Sequence, residues 1–256
     1  MLVLYICYDG ILDNLGQTQV LPYIYALNDK GYNFIIFSFE RHDRTKEEFR
    51  NQELLLQNRG IKWYHLNFYP RKYNRFLRLL LGPIKLNNIV RKHKINFAHI
   101  RSINAGTVFL LSLIKLPYIY DMRCFAGQLG DYGLIKNRLI LKIFLIFEKI
   151  LIQNSKGIVV LDKSGEDYLQ KNFKNKIPFQ VIPTATNIKK FKINKSSINK
   201  EEIKFVFLGG AQFPYLPERA LEFIEFLSKN KVNCTLDIIN QRHHDYIKKI
   251  VKEINF

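Results

Sequence analysis

Short apolar runs rich in β-branched and aromatic residues alternate, along almost the whole chain, with stretches whose apolar residues recur at helical spacing. Leu2 to Tyr8 is one continuous apolar run, and Thr18 to Lys30 behind it has helical spacing and ends at Gly31. A strand apolar on both sides is buried on both faces, and strands that take turns with helices build a parallel sheet covered by helices. Further strands are expected at Tyr32 to Phe39, Ile61 to Leu66, Phe97 to Ile100, Tyr118 to Asp121, Gly157 to Leu161 and Phe179 to Ile182. The helices between them fall at Arg44 to Asn58, Tyr73 to Lys94, Ala105 to Lys115, Leu134 to Gln153 and Lys163 to Asn172.

From Pro183 to Glu202 the chain turns to Lys, Asn, Ser and Thr with no apolar period, the composition of a linker. The alternation then restarts with Ile203 to Leu208, Gly209-Gly210, Pro217 to Lys229, Val232 to Ile239 and Tyr246 to Glu253. The expected organisation is a Rossmann-like domain at 1–185, a linker at 186–202 and the start of a second such domain at 203–256. Two strands and two helices are about half of a doubly wound domain and cannot cover both faces of a sheet.

Charge narrows the partners. Of 256 residues, 40 are Lys or Arg and 22 Asp or Glu, a net +18. Residues 1–53 hold 5 basic and 8 acidic side chains, whereas residues 54–120 hold 12 basic ones and no acid. A block of one sign is a field on one part of the fold, and it calls for an anionic partner there. Within it Arg71, Arg75, Arg78, Lys85 and Lys92 follow one helical face, with Leu77, Leu80, Leu81 and Ile84 roughly opposite. Gly82-Pro83 is expected to break that helix in two. With Phe68, Tyr69, Tyr73 and Phe76 nearby, the basic face suits the headgroups of an anionic membrane, nucleic-acid phosphate being the competing partner.

Cys7, Cys124 and Cys234 are odd in number and far apart, which fits a reducing cytosol. The start lacks a basic region before its apolar run, so it reads as a strand and not a signal peptide. Leu134 to Gln153 carries five charges, too many for a spanning helix. No His-x-x-x-His, nucleophile elbow, phosphate-binding loop or Gly-x-Gly-x-x-Gly is present, which leaves metal hydrolysis, serine hydrolysis, ATPase and dehydrogenase chemistry without support.

Ligands of open parallel sheets bind at the carboxyl ends of the strands, so the loops leaving those ends carry the candidates. After the first strand, Gly10 and Gly16 let the backbone bend close to a ligand, and the helix opening at Gln17 and Thr18 offers N–H groups to an anion. After the fifth, Tyr120-Asp121-Met122-Arg123-Cys124-Phe125 places a carboxylate and a guanidinium at the crevice, followed by a flap with Gly127, Gly130 and Gly133. The same two residues could equally form an ion pair closing the sheet. Arg101 and Ser102 end the fourth strand beside them, and His99 reads as a core residue or a base.

Taken in order, Gly16-Gln17-Thr18-Gln19-Val20-Leu21-Pro22-Tyr23, Ile36-Phe37-Ser38-Phe39-Glu40, His99-Ile100-Arg101-Ser102, Tyr120-Asp121-Met122-Arg123 and Val181-Ile182-Pro183-Thr184 resemble glycosyltransferase family four. The resemblance implies a GT-B architecture, two Rossmann-like domains facing a cleft, and retaining transfer of a sugar from a nucleotide-sugar donor without a metal or other cofactor. It implies an acceptor that is a lipid-linked glycan of surface polysaccharide synthesis, reached from the cytoplasm at the inner face of an anionic membrane, with no nucleic acid involved. By position, Asp121 and Arg123 would be catalytic. Gly16, Gln17, Gly209 and Gly210 would approach the donor phosphates, and His99, Arg101 and Ser102 would line the acceptor side. The family pattern has Gly where this chain has Cys124, and an acidic pair where it has Gly127 and Gln128. The donor-holding basic pair and the two glutamates of the family are not in this sequence, so the expectation is a shortened enzyme of weak activity. The alternative is a non-catalytic membrane-docking module that pairs with a separately encoded carboxy-terminal domain.

Overall fold

The computed structural model describes residues 1–68, 74–133, 135–173, 177–185, 202–211, 215–240 and 243–253, without the side chains of 68 and 74–76. Arg71 and nearly all of the expected linker lie outside the described residues, and only the backbone of Arg75 lies within them. The chain divides into two compact units, Met1–Asn187 and Ile188–Phe256.

In the first unit, β1 (Leu2–Cys7), β2 (Asn33–Arg41), β3 (Lys62–Phe68), β4 (Phe97–Arg101), β5 (Tyr118–Asp121), β6 (Gly157–Val160) and β7 (Phe179–Val181) form one sheet. Its order is β3-β2-β1-β4-β5-β6-β7, with every pair parallel. Val3 to Cys7 of β1 and Phe34 to Glu40 of β2 are buried throughout, as two-sided burial requires.

Right-handed crossovers then dictate which helix covers which face. A π-helical turn, Gly16–Val20, leads into α1 (Leu21–Asn28), and α2 (Lys46–Gln57) follows β2. Together they cover one face, around Val3, Tyr5, Cys7, Phe34, Ile36 and Leu56. Thr45 and Glu48 start α2 with a reciprocal capping box. The other face packs Leu4, Ile6, Ile35, Phe37, Ile100 and Val160 under α3 (Asn74–Lys92), α4 (Ser102–Leu111) and α6 (Arg138–Asn154), with α7 (Lys163–Asn172) following β6. α4 is packed against both α3 and α6.

Two local expectations are corrected. Pro83 sits inside a continuous α3, because the helix buries Gly82, Pro83, Leu86 and Ile89 as one side and tertiary packing outweighs the lost hydrogen bond. The glycine-rich run after β5 is not an open flap: Ala126–Asp131 forms a short helix, α5, and the buried Glu148 carboxylate accepts the Ala126 N–H at 2.8 Å and the Tyr168 hydroxyl at 3.1 Å.

The second unit consists of β8 (Ile203–Leu208), α8 (Pro217–Lys229), β9 (Cys234–Ile239) and α9 (His244–Glu253), with the two strands parallel. α8 packs Leu221 and Ile224 inward, while Val206, Leu208 and Ile239 on the strands are exposed.

Candidate functional site

The strand order reverses between β1 and β4, so the loops leaving these strands diverge and leave a crevice at the carboxyl edge. Register brings the candidates together there. Cys7 pairs with Arg101, Arg101 with Asp121, and Asp121 with Val159, a row of four across the sheet edge. Residues two apart on a strand share a face, so His99 lies beside Arg101 on the side that carries α1, and Arg123, two residues past the end of β5, joins them through its bond to Asp121.

Asp121 is the hub. It is 1% exposed, and its Oδ2 takes Arg123 Nη2 at 2.7 Å, His99 Nε2 at 3.3 Å and lies 3.5 Å from Arg101 Nη1. Burial raises the Asp121 pKa, but the hydrogen bond and charge of His99 and the charge of Arg123 outweigh it, so the carboxyl ends below its ordinary range. Arg101, 3% exposed, also donates to Gln19 Oε1 at 2.7 Å and lies 3.9 Å from Asp9. Asp121 Oδ1 and the Arg101 Nε and Nη1 atoms are buried without a hydrogen-bond partner. His99 is sandwiched by rings: Tyr5 stacks on it at 4.5 Å, and Tyr23 of α1 tilts against it at 5.4 Å.

α1 and α2 cover only the β1–β3 side of this face, and beyond α1 a cavity of about 260 Å³ opens. His99, Asp121 and Arg123 meet Thr18, Gln19 and Tyr23 in its wall, with Pro22, Val159, Ile182 and Pro183 as the apolar part. An ionised carboxylate, a guanidinium, an amide and a phenol around apolar walls can bind a polyhydroxylated molecule and one anionic group. The two readings of Asp121 and Arg123 therefore hold together, since their ion pair is itself part of the cavity wall.

Other expected site residues serve the scaffold. A Cβ on Gly16 would overlap the Gly10 carbonyl oxygen and Ile11 Cα, so Gly16 allows the loop after β1 to fold on itself. Gln17 turns away and donates to the Ile11 carbonyl at 2.8 Å and to Gln52 at 2.9 Å. Ser102 opens α4 at φ +74°, a left-handed conformation costly for a non-glycine residue. Gly209 and Gly210 belong to the second unit, where the Tyr215 ring lies over both.

Glu40 was missed as a site support. Its buried carboxylate accepts the Ile11 N–H at 2.7 Å, the Leu12 N–H at 3.2 Å and the Ser38 hydroxyl at 2.6 Å, and Ser38 accepts the Trp63 indole N–H at 2.8 Å. This chain, from β3 through β2, pins the loop after β1. The available signal was an acid ending an otherwise apolar strand. Gln19 and Tyr23 were legible only as an i, i+4 pair on the helix behind that loop.

The basic stripe of α3 is the largest correction. Arg78 donates to the Tyr8 hydroxyl at 3.0 Å with its guanidinium 5.4 Å from the ring, and Lys85 donates to the His65 carbonyl at 3.1 Å. Both face the sheet, whereas Lys92 is exposed at the helix end. Leu77, Leu80, Leu81 and Ile84 face solvent, so the outward surface is apolar where cations were expected. Among the described residues, no group of three His, Cys, Asp or Glu side chains could hold a metal ion, and no helix is long and apolar enough to cross a membrane.

No family model matches the sequence, and no curated protein matches it. Solved structures do match. Sucrose-phosphate synthase of Thermosynechococcus elongatus aligns with 96% of this chain and 72% of its own at 12% identity and TM-score 0.60. A glycosyltransferase from Rickettsia africae ESF-5 aligns with 98% and 64% at 14% identity and TM-score 0.60. UDP-GlcNAc 2-epimerase from Neisseria meningitidis, bound to UDP-GlcNAc, aligns with 99% and 69% at 12% identity and TM-score 0.58. The fold is of the GT-B type. At such identity the likeness speaks for the fold alone, and the chain spans 64% to 72% of the length of these three neighbours.

Proposed function

We propose that this GT-B chain is a family-four glycosyltransferase that moves a sugar, with retention and without a metal, from a nucleotide-sugar donor to a lipid-linked glycan acceptor at the inner face of a membrane. The observation that carries the reading is the Asp121 hub, with His99, Arg101 and Arg123 around one carboxylate at the switch point of the sheet. Held ionised, Asp121 can only accept, so it orients a sugar hydroxyl as donor. Arg123, the most open of the four, favours an anionic group such as the donor diphosphate nearby. His99 stays in line through Tyr5 and Tyr23, and Gln19 and Tyr23 supply the remaining polar contacts of a sugar.

The test is incubation of the full chain with UDP-, GDP- and dTDP-sugars and a lipid extract, scoring label in the lipid fraction and the anomer formed. Weak transfer with retention is expected from this chain alone, with a further loss on the order of 10²-fold in Arg123→Ala. Appearance of an epimerised nucleotide sugar without any acceptor would overturn it. A second reading, a docking module completed by a separately encoded donor-side chain, is favoured by the exposed Val206, Leu208 and Ile239 of the β8–β9 sheet. It requires no transfer by the chain alone and a stable complex with that partner.

A further inference from the structure

On one side of the first unit, two helices present apolar stripes to solvent. α3 turns Leu77, Leu80, Leu81 and Ile84 outward at i, i+3, i+4, i+7 spacing, with Ile84 59% exposed. α6 does the same with Leu139, Ile143 and Ile146, adding Lys142 at the fourth position of the stripe and Ile140 beside it. Leu139 is 67% and Ile146 56% exposed. Both helices flank α4 on the same face of the sheet, so the stripes belong to one side of the unit. α3 starts where β3 ends, and α6 starts beyond α5 on the same edge, so both stripes begin at the edge where the cavity opens.

Of the helices on this side, α3, α4 and α6 expose charge of one sign, while α5 and α7 beside them expose Asp131 and Asp167. α3 and α4 lie in the acid-free block, and the acid of α6, Glu148, is buried beneath the helix. Arg91, Lys92, Lys136, Arg138, Lys142 and Lys149 are exposed around the stripes. The opposite face carries Glu47, Glu48 and Glu53 on α2. A second copy docking by this side would set cation against cation, and a nucleic acid would meet leucines where its phosphates must lie. An anionic bilayer satisfies both halves, acyl chains taking the Leu and Ile side chains and headgroup phosphates the surrounding Lys and Arg.

We propose that the α3–α6 side of the first unit docks on an anionic lipid bilayer, with Leu80, Ile84, Ile143 and Ile146 entering the boundary between headgroups and acyl chains. This deepens the membrane part of the reading above and needs none of its transfer chemistry. The inserted residues are the leucines and isoleucines opposite the basic stripe, and the exposed cations of α6 and the end of α3 replace Arg78 and Lys85 as headgroup contacts.

The experiment is co-sedimentation of the full chain with vesicles of phosphatidylcholine alone and of phosphatidylcholine with phosphatidylglycerol, at low and high salt and without any nucleotide sugar. Binding to the anionic vesicles is expected, weakened by salt. The double variants Leu80→Glu/Ile84→Glu and Ile143→Glu/Ile146→Glu should each lower the partition coefficient about tenfold or more, while keeping the far-ultraviolet spectrum of the parent. Ile143→Trp should be quenched by brominated lipid. Unchanged binding in the apolar variants, absence of quenching, or binding to neither vesicle overturns the proposal. So does a soluble dimer broken by the same variants without lipid, or tight RNA binding that they leave intact. Because no donor is present, failure here leaves the transfer reading standing, and failure of transfer leaves this result unaffected.

Discussion

Replacing Asp121 by Asn keeps the shape of the hub and removes its buried negative charge. The Arg101 guanidinium, 3% exposed, then faces an amide that can itself donate, with Gln19 at 2.7 Å and Asp9 at 3.9 Å as its remaining partners. Removing one member of a buried ion pair costs about 3–5 kcal/mol, because the other charge stays buried and uncompensated. With a urea slope of about 2–3 kcal/mol per molar, the midpoint of the first unit should fall by about 1–2 M. Arg123→Gln is the control: the lost side chain is partly exposed, Asp121 keeps His99 and Arg101, and the cost should be about 1 kcal/mol. Acid separates charge from packing. Burial works to raise the Asp121 pKa, but His99 and Arg123 hold it below the unfolded value, so the unfolded chain binds the extra proton in the window between the two. The stabilisation is therefore complete above the ordinary carboxylate value of about 3.9 and is lost as pH falls below it toward the folded value. The difference between parent and Asp121→Asn should be constant from neutral pH down to that value and then close. A difference below about 1 kcal/mol at neutral pH, or one that persists unchanged in acid, would refute the hub as an electrostatic centre.

Glu40→Ala leaves the Ile11 and Leu12 N–H groups without their acceptor, which should cost about 2–4 kcal/mol by urea unfolding and speed amide exchange at those two residues; unchanged exchange would show that Glu40 does not pin the loop. Two glycines should respond oppositely to alanine. Gly16→Ala forces backbone overlap and should abolish a cooperative transition, whereas Gly127→Ala, inside α5 with nothing near its Cβ position, should gain about 0.5–1 kcal/mol in a thermal melt.

The first unit was legible in the sequence to within a few residues per element because its signal is local. A buried parallel strand must be apolar on both sides, and the helix after it must show a 3.6-residue period, so Leu2 to Tyr8 or Tyr118 to Asp121 leave few alternatives. The convergence of His99, Arg101, Asp121 and Arg123 was legible as well, since Arg101 and Asp121 end neighbouring strands and His99 and Arg123 lie two residues from them. What could not be read was the cross-strand bonding that holds the site, such as Trp63 through Ser38 to Glu40 and on to the loop after β1. These partners are 25 and 29 residues apart and have no spacing rule. Glycine misled in the run after β5, where Gly127 and Gly130 gave a flap signal and the Glu148 carboxylate, 22 residues on, supplied the helix with its cap.

α3 marks a deeper limit, and it relocates the charge. A helical wheel separates two faces but does not say which one is buried, and the usual rule buries the leucines. Here the sheet offers something else to the basic face: the Tyr8 ring and hydroxyl for Arg78 and the open His65 carbonyl at the edge strand for Lys85. Long cationic side chains can lay their methylenes on apolar surface and still bond through their heads, so the half-buried Arg78 and Lys85 sit beside the buried Gly82, Pro83, Leu86 and Ile89 and turn toward the sheet. The leucines are then left outside. The site meanwhile is close to neutral in itself, with Arg101 and Arg123 set against Asp121 and the nearby Asp9. Beyond His99 and Arg101, the acid-free block therefore contributes no side chain to the hub. Its field belongs to the helical side where α3, α4 and α6 lie, and an anionic partner recognised by that field meets the protein on a surface beside the cavity, with the mouth of the site at its edge.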